Sequence, residues 1–318
     1  MRKTLPEIYD AVKKIALKIF KVLENVWVKR VATILITVYA VYLLYSNYRT
    51  LKDSVAALTL NIPLIVLSAG IVLLTFILNI SSWKFIVASL GYDQKWMDMA
   101  HVQMTSAIGK YIPGKIWNYS SKIYLSHKLG LPGSIASLAL GVEVLLAYII
   151  GACLFLIFVP AQILNVNSGL IIAMRITGGL LGSLVCIAPL LLSKITWTGM
   201  YFKKPNKLYF SILYRVGVWV FSSLSFSFLL QALGFSPINF PTLISVIAGS
   251  FFAGFIVIFI PDGIFVRETI MVFLLQEIIA KPEASILSII FRGELVILEL
   301  VIILVVFLVY KRKSRVLQ

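Results

Sequence analysis

Charged side chains placed inside long apolar runs are the first residues with chemistry to offer. Glu143 lies near the middle of an apolar stretch at 131–159, and Arg292, Glu294 and Glu299 interrupt another at 284–310. On insertion scales each charge at the centre of a bilayer-spanning helix costs roughly 2.5–3.5 kcal/mol unless it is paired or wet. Glu143 and Glu299 sit too deep to snorkel, so each must find a cation or line a wet path. Arg292 and Glu299 recur at helical spacing and share one face. Arg175 and Arg215 lie nearer the ends of their runs and are read as snorkelling side chains.

Two short motifs add backbone chemistry. Lys110-Tyr111-Ile112-Pro113-Gly114-Lys115 and Pro261-Asp262-Gly263-Ile264-Phe265-Val266-Arg267-Glu268 each break a helix-forming stretch with proline and glycine. Glycine lets the chain reverse where a Cβ would clash, and exposed N–H groups at a half-helix N-terminus attract anions such as phosphate. Pro113, Gly114, Pro261 and Gly263 are therefore candidate turn residues at a substrate site. Lys110, Lys115, Arg267 and Arg292 offer positive charge to a phosphate. Glu143, Glu268 and Glu299 balance those cations, hold an amine or accept a proton. The competing structural reading is a kink at each break and an ion-pair scaffold joining Glu143, Arg267, Glu268, Arg292 and Glu299.

Other signals point away from soluble chemistry. His101 and His127 lack metal-ligand spacing, and Cys153 and Cys186 sit in apolar runs as packing residues. There is no phosphate-binding Gly-rich Lys-Ser/Thr loop, nucleophile elbow or zinc motif, so no ATP-driven or hydrolytic activity, no cofactor and no metal are expected. Ser222, Ser223, Ser225 and Ser227 suit close helix approach and interhelical hydrogen bonds.

The elements that must position these residues follow from composition. Of 318 residues, 60% are hydrophobic and 13% charged, with a mean hydropathy of +0.98, far more apolar than a globular domain. Apolar runs long enough to span occur at about 31–47, 56–80, 131–159, 168–192, 208–232 and 284–310. Segments 94–128 and 241–280 are broken, and broken helices at membrane depth are tolerated only inside protein or against a wet cavity. Residues 1–30 form a basic amphipathic leader suited to an anionic membrane surface or to a solvated cytoplasmic position, with no cleavable signal expected. Residues 311–318 are a basic tail.

Twenty-two of the 29 Lys and Arg residues fall in the leader, 81–130, 193–207 and the tail. The positive-inside rule then places both termini in the cytoplasm and gives the net charge of +16 to membrane topology, not to nucleic acid. That distribution requires 94–128 to enter and leave from one side and 241–280 from the other, or 241–280 to cross twice. The expected fold is an all-α integral membrane protein of six spanning helices plus two re-entrant hairpins. Repeat 1, about 31–159, and repeat 2, about 168–310, form an inverted-topology repeat, a transporter signature.

At these residues the chain resembles the lysylphosphatidylglycerol synthase transmembrane-region family, whose best-known member is the flippase half of the multiple peptide resistance factor. The resemblance covers roughly 30–310 and rests on Lys110 to Lys115, Glu143, Pro261 to Glu268 and Arg292. Asp262 and Phe265 stand where the family has glycines, and Val144 follows Glu143 where arginine is common. The resemblance implies a lipid translocator in the cell membrane, acting on a phospholipid, an aminoacyl-lipid or a polyprenyl-linked headgroup. A separate lipid-modifying or glycan-assembly enzyme is compatible as partner. Lipid aminoacylation by this chain is not expected. The alternative is a membrane-embedded glycosyltransferase or its accessory subunit acting on polyprenyl-phosphate sugars.

Overall fold

The computed structural model describes residues 60–111, 116–194, 201–256, 263 and 265–316. The leader, the expected span at 31–47 and the turn residues Pro113, Gly114, Lys115 and Pro261 lie outside the described residues. Among those described, all regular structure is helical: α1 Ile62–Ser89, α2 Trp96–Ala107 with a 3-10 turn Ile108–Tyr111, α3 Ile116–Lys128, α4 Gly133–Phe158, the single turn α5 Ala161–Leu164, α6 Ser168–Lys194, α7 Lys207–Ala232, α8 Phe240–Ile256, α9 Val266–Leu275 and α10 Lys281–Val316. Five of them, α1, α4, α6, α7 and α10, are long and apolar enough to cross a membrane.

Helix α1 shows how local sequence sets these boundaries. Asn61 caps it by accepting from the Leu64 N–H at 3.3 Å, with Pro63 in the first turn. It runs past the expected end near residue 80 because its serines are satisfied within the helix: Ser81 donates to the Ile77 carbonyl at 2.8 Å and Ser89 to that of Ile86 at 2.6 Å. Trp83, Ile86 and Val87 on the added turns are fully buried, packed with Met99, Val102 and Leu131. Gly91, at φ +93°, ends the helix in the left-handed conformation that glycine adopts without strain. At the other extreme, α10 continues through the expected tail to Val316, since nothing after Gly293 breaks it.

The most extensive pairing is between α1 and α7, which run antiparallel. Two serine pairs mark the seam. Ser68 meets Ser225 and Ser82 meets Ser211, each at 2.9 Å between hydroxyl oxygens and about four turns apart along either helix. Small polar residues at these positions let the two backbones approach and exchange hydrogen bonds where no water competes. Around this seam α3, α6 and α8 pack on α4, while α2 and α9 pack on α10.

Short contacts collect the connecting segments at two ends. At one end the Lys204 N–H donates to the Ser89 carbonyl at 2.9 Å, and the Gln94 side chain donates to the Leu129 carbonyl at 3.3 Å. Residues 94–129 thus begin and finish at the same end. At the opposite end the Asn61 N–H donates to the Ala232 carbonyl at 2.9 Å. A cavity of about 860 Å³ is lined there by Phe158, Pro160, Asn239, Thr242, Glu277 and Ile279 among others, so 239–279 also begins and finishes at one end.

Candidate functional site

Five helices converge on Glu143, which α4 buries to 8% exposure. From α3, Lys122 donates to its Oε2. From α7, Arg215 Nη2 lies 3.4 Å from Oε1, and from α2 the Gln103 amide donates to Oε1 at 3.3 Å. Helix α1 supplies Asn79, which accepts from Arg215 Nη1 at 2.8 Å, and Trp83, whose ring lies 3.9 Å from the Lys122 ammonium. This is a carboxylate held by two cations in a dry setting, with the aromatic face adding a cation–π contact worth up to about 2 kcal/mol when desolvated.

A second centre sits on α10. Glu299, 5% exposed, accepts from Lys110 at 2.7 Å and from the Tyr111 hydroxyl at 2.5 Å. Both donors belong to the 3-10 turn that opens the first break, so a mid-helix carboxylate of α10 grips the edge of that break. About two turns earlier, Arg292 faces Glu268 of α9 at 3.5 Å, just past the second break. The charges beside both breaks therefore converge on one helix.

Arg267 occupies a third environment. Its guanidinium lies 4.1 Å from the centre of the Phe251 ring, and its stem runs over two glycines. A Cβ on Gly254 would come within 2.5 Å of Arg267 Cγ, and one on Gly263 within 3.2 Å of its Nε and 2.9 Å of the Gly254 carbonyl. Gly263 also has φ +67°. Both glycines are needed for Arg267 to pass, whatever ligand it serves.

Phe265 holds a backbone conformation that favours glycine, with φ +68° and ψ −31° at the N-cap of α9. A bulky residue at positive φ costs on the order of 1–2 kcal/mol. Phe265→Gly is therefore expected to raise the detergent melting temperature, by the equivalent of about 1 kcal/mol. An unchanged or lowered melting temperature would show that contacts of the exposed ring outweigh the strain.

Among the described residues, the expected single network of Glu143, Arg267, Glu268, Arg292 and Glu299 is replaced by three sets of contacts: Glu143 with Lys122 and Arg215, Glu299 with Lys110 and Tyr111, and Glu268 with Arg292. The reading of Arg215 as a snorkelling residue is corrected as well, since it is 6% exposed and ion-paired. A signal for this was present: Arg215 falls on the same helical face as Ser211, Ser222 and Ser225, the face that packs. Lys122, Gln103, Asn79 and Trp83 carry no signal of their own in the sequence and gain their role only through Glu143. Among the histidines, His101 stacks on Tyr310 with ring centres 3.9 Å apart, and His127 contacts the Leu131 carbonyl at 3.0 Å, both packing roles. Cys153 is buried and Cys186 exposed, and both are free thiols.

Compared with known families, residues 30–303 match the one described as "Lysylphosphatidylglycerol synthase TM region". A search of curated proteins finds no significant match.

Proposed function

Because the chain belongs to the family of the lysylphosphatidylglycerol synthase TM region, a membrane family linked to lipids, we propose that it is a lipid translocator of the flippase class. It moves an anionic or zwitterionic headgroup between leaflets while the acyl tails stay in the bilayer. The observation that carries this reading is the convergence of both helix breaks on α10: Lys110 and Tyr111 on Glu299, and Glu268 on Arg292. Charges of both signs at two breaks tied to one spanning helix provide successive stations for a phosphate and its counter-groups, with little polar surface turned to lipid.

The same reading takes 94–128 and 241–280 as re-entrant hairpins of an inverted repeat. The reciprocal packing of α8 on α4 and α2 on α10 supports it, as do the Gln94–Leu129 contact across the first hairpin and the cavity lined by both ends of the second. With the basic segments inside, the end bearing Asn61, Ala232 and the cavity faces out. Cysteines at 160–167 and 233–240 are then expected to label from outside intact cells and Lys203→Cys is not; external labelling of Lys203→Cys would overturn the orientation.

The function is tested with purified protein in liposomes carrying fluorescent phosphatidylglycerol. Movement of the labelled lipid between leaflets without any sugar donor supports a translocator. Absence of movement together with covalent transfer from an added polyprenyl-phosphate sugar would replace it with the glycosyltransferase reading.

A further inference from the structure

Among the described residues, Glu294 is an intramembrane carboxylate that the site above does not use. It projects from α10 toward the α1–α7 seam, where its Oε2 lies 3.1 Å from the Ser68 hydroxyl, and its Oε1 is buried with no hydrogen-bond partner among the described residues. Glu143, Glu299 and Glu268 each have a cation within 3.5 Å, whereas among the described residues none lies within ion-pair distance of Glu294.

The charged groups on the described elements that pack against α10 are engaged elsewhere. On α9, Glu268 faces Arg292 and Arg267 lies on Phe251. On α7, Arg215 is held by Glu143 and Asn79, and Lys207 lies near the Phe85 and Phe210 rings. On α1, Lys84 is beside Phe85, and on α2, His101 stacks on Tyr310 with Asp98 one turn before it. Lys110 and Tyr111 are on Glu299.

Hydrogen counting at Ser68 identifies the state of this group. Its hydroxyl oxygen makes three close contacts: to the Ser225 carbonyl at 3.0 Å, to the Ser225 hydroxyl at 2.9 Å and to Glu294 Oε2 at 3.1 Å. A hydroxyl carries one hydrogen and two lone pairs. If Glu294 is ionised, the serines bring two hydrogens to three contacts, and one contact sets two acceptors against each other. If Glu294 is protonated, it donates to Ser68, Ser225 donates to Ser68, and Ser68 donates to the Ser225 carbonyl. Every contact is then satisfied. A carboxylate without a cation at this depth would in any case be far more costly than the neutral acid.

We propose that Glu294 is a proton-binding site that locks α10 to the α1–α7 seam, and that proton gradients drive lipid movement through it; the coupling rests on the translocator reading above. When the proton leaves for water, the Ser225 carbonyl and Glu294 compete for the Ser68 hydrogen and one contact opens. Helix α10, which bears Arg292 and Glu299, is thereby released from the seam. Protonation restores the lock.

The test uses the full chain in liposomes containing fluorescent phosphatidylglycerol, with pH set independently on the two sides, alongside infrared spectroscopy of purified protein. Wild type is expected to change its rate of lipid movement by up to about tenfold per pH unit of gradient, the factor that one proton carries, and to show the C=O stretch of a buried protonated carboxyl. Glu294→Gln keeps a donor to Ser68 and should fold; it is expected to lose both the gradient response and that infrared band. A wild-type rate indifferent to the gradient would overturn the coupling, and a band that persists in Glu294→Gln would overturn the proton site. If the variant moves no lipid, the infrared band decides. If wild type itself moves none under any gradient, the translocator reading fails and the band alone judges Glu294.

Discussion

Glu143→Ala is expected to destabilise the protein by about 3–5 kcal/mol, the usual cost of stripping one partner from a buried ion pair. It leaves Lys122 and Arg215 facing each other in a setting where both are less than a tenth exposed. Glu143→Gln keeps the shape but not the charge and should fall only partly short of this. Combining Glu143→Gln with Lys122→Met removes the repulsion between the two cations but leaves Arg215 without its carboxylate, held by Asn79 and the amides; only part of the lost stability should come back. Melting in detergent measures all three. If Glu143→Ala melts like wild type, Lys122 and Arg215 reach water in the membrane and the cluster is not the buried anchor described above.

On the translocator reading proposed above, the second large effect is expected at the first break. Lys110→Met should lower the rate of lipid movement at least about tenfold, equivalent to ~1.4 kcal/mol of barrier, and should also lower stability, because Glu299 then keeps Tyr111 as a donor but loses its cation. The informative variant is Lys110→Met with Glu299→Gln. Removing both charges should restore the melting temperature, since the buried carboxylate no longer lacks a partner. It cannot restore a positive charge to a phosphate passing the break, so transport is expected to remain low. Recovery of near-normal lipid movement in the double variant would make the Lys110–Glu299 pair structural and move the phosphate station to Arg267.

These two predictions depend on pairings that the sequence reveals unevenly. Five of the spans and the mid-span carboxylates were legible from apolar run length, because bilayer thickness imposes that pattern locally. The partner of each carboxylate was not. From sequence, Arg267 is the natural counter-charge for Glu143, Glu268 or Glu299, yet each of the three carboxylates meets a different cation. Lys122 and Arg215 reach Glu143 from helices distant in the chain, and neither has a local feature that names Glu143 as its target. The end of α1 was misplaced for another reason: hydropathy penalises Ser81, Ser82 and Ser89, while the helix satisfies their hydroxyls internally or across the seam. Phe265 is the reverse case, where the backbone holds a glycine-like turn although the residue would not favour one.

The serine seam between α1 and α7 has a consequence for ancestry. One and the same shift along the sequence carries Ser68 onto Ser211 and Ser82 onto Ser225, so the contact of Ser68 with Ser225 becomes that of Ser211 with Ser82. Such exchange, in which i touches j and j touches i, is the mark of an isologous two-fold interface between identical subunits. On the inverted-repeat reading, the seam is a homodimer interface enclosed within one polypeptide.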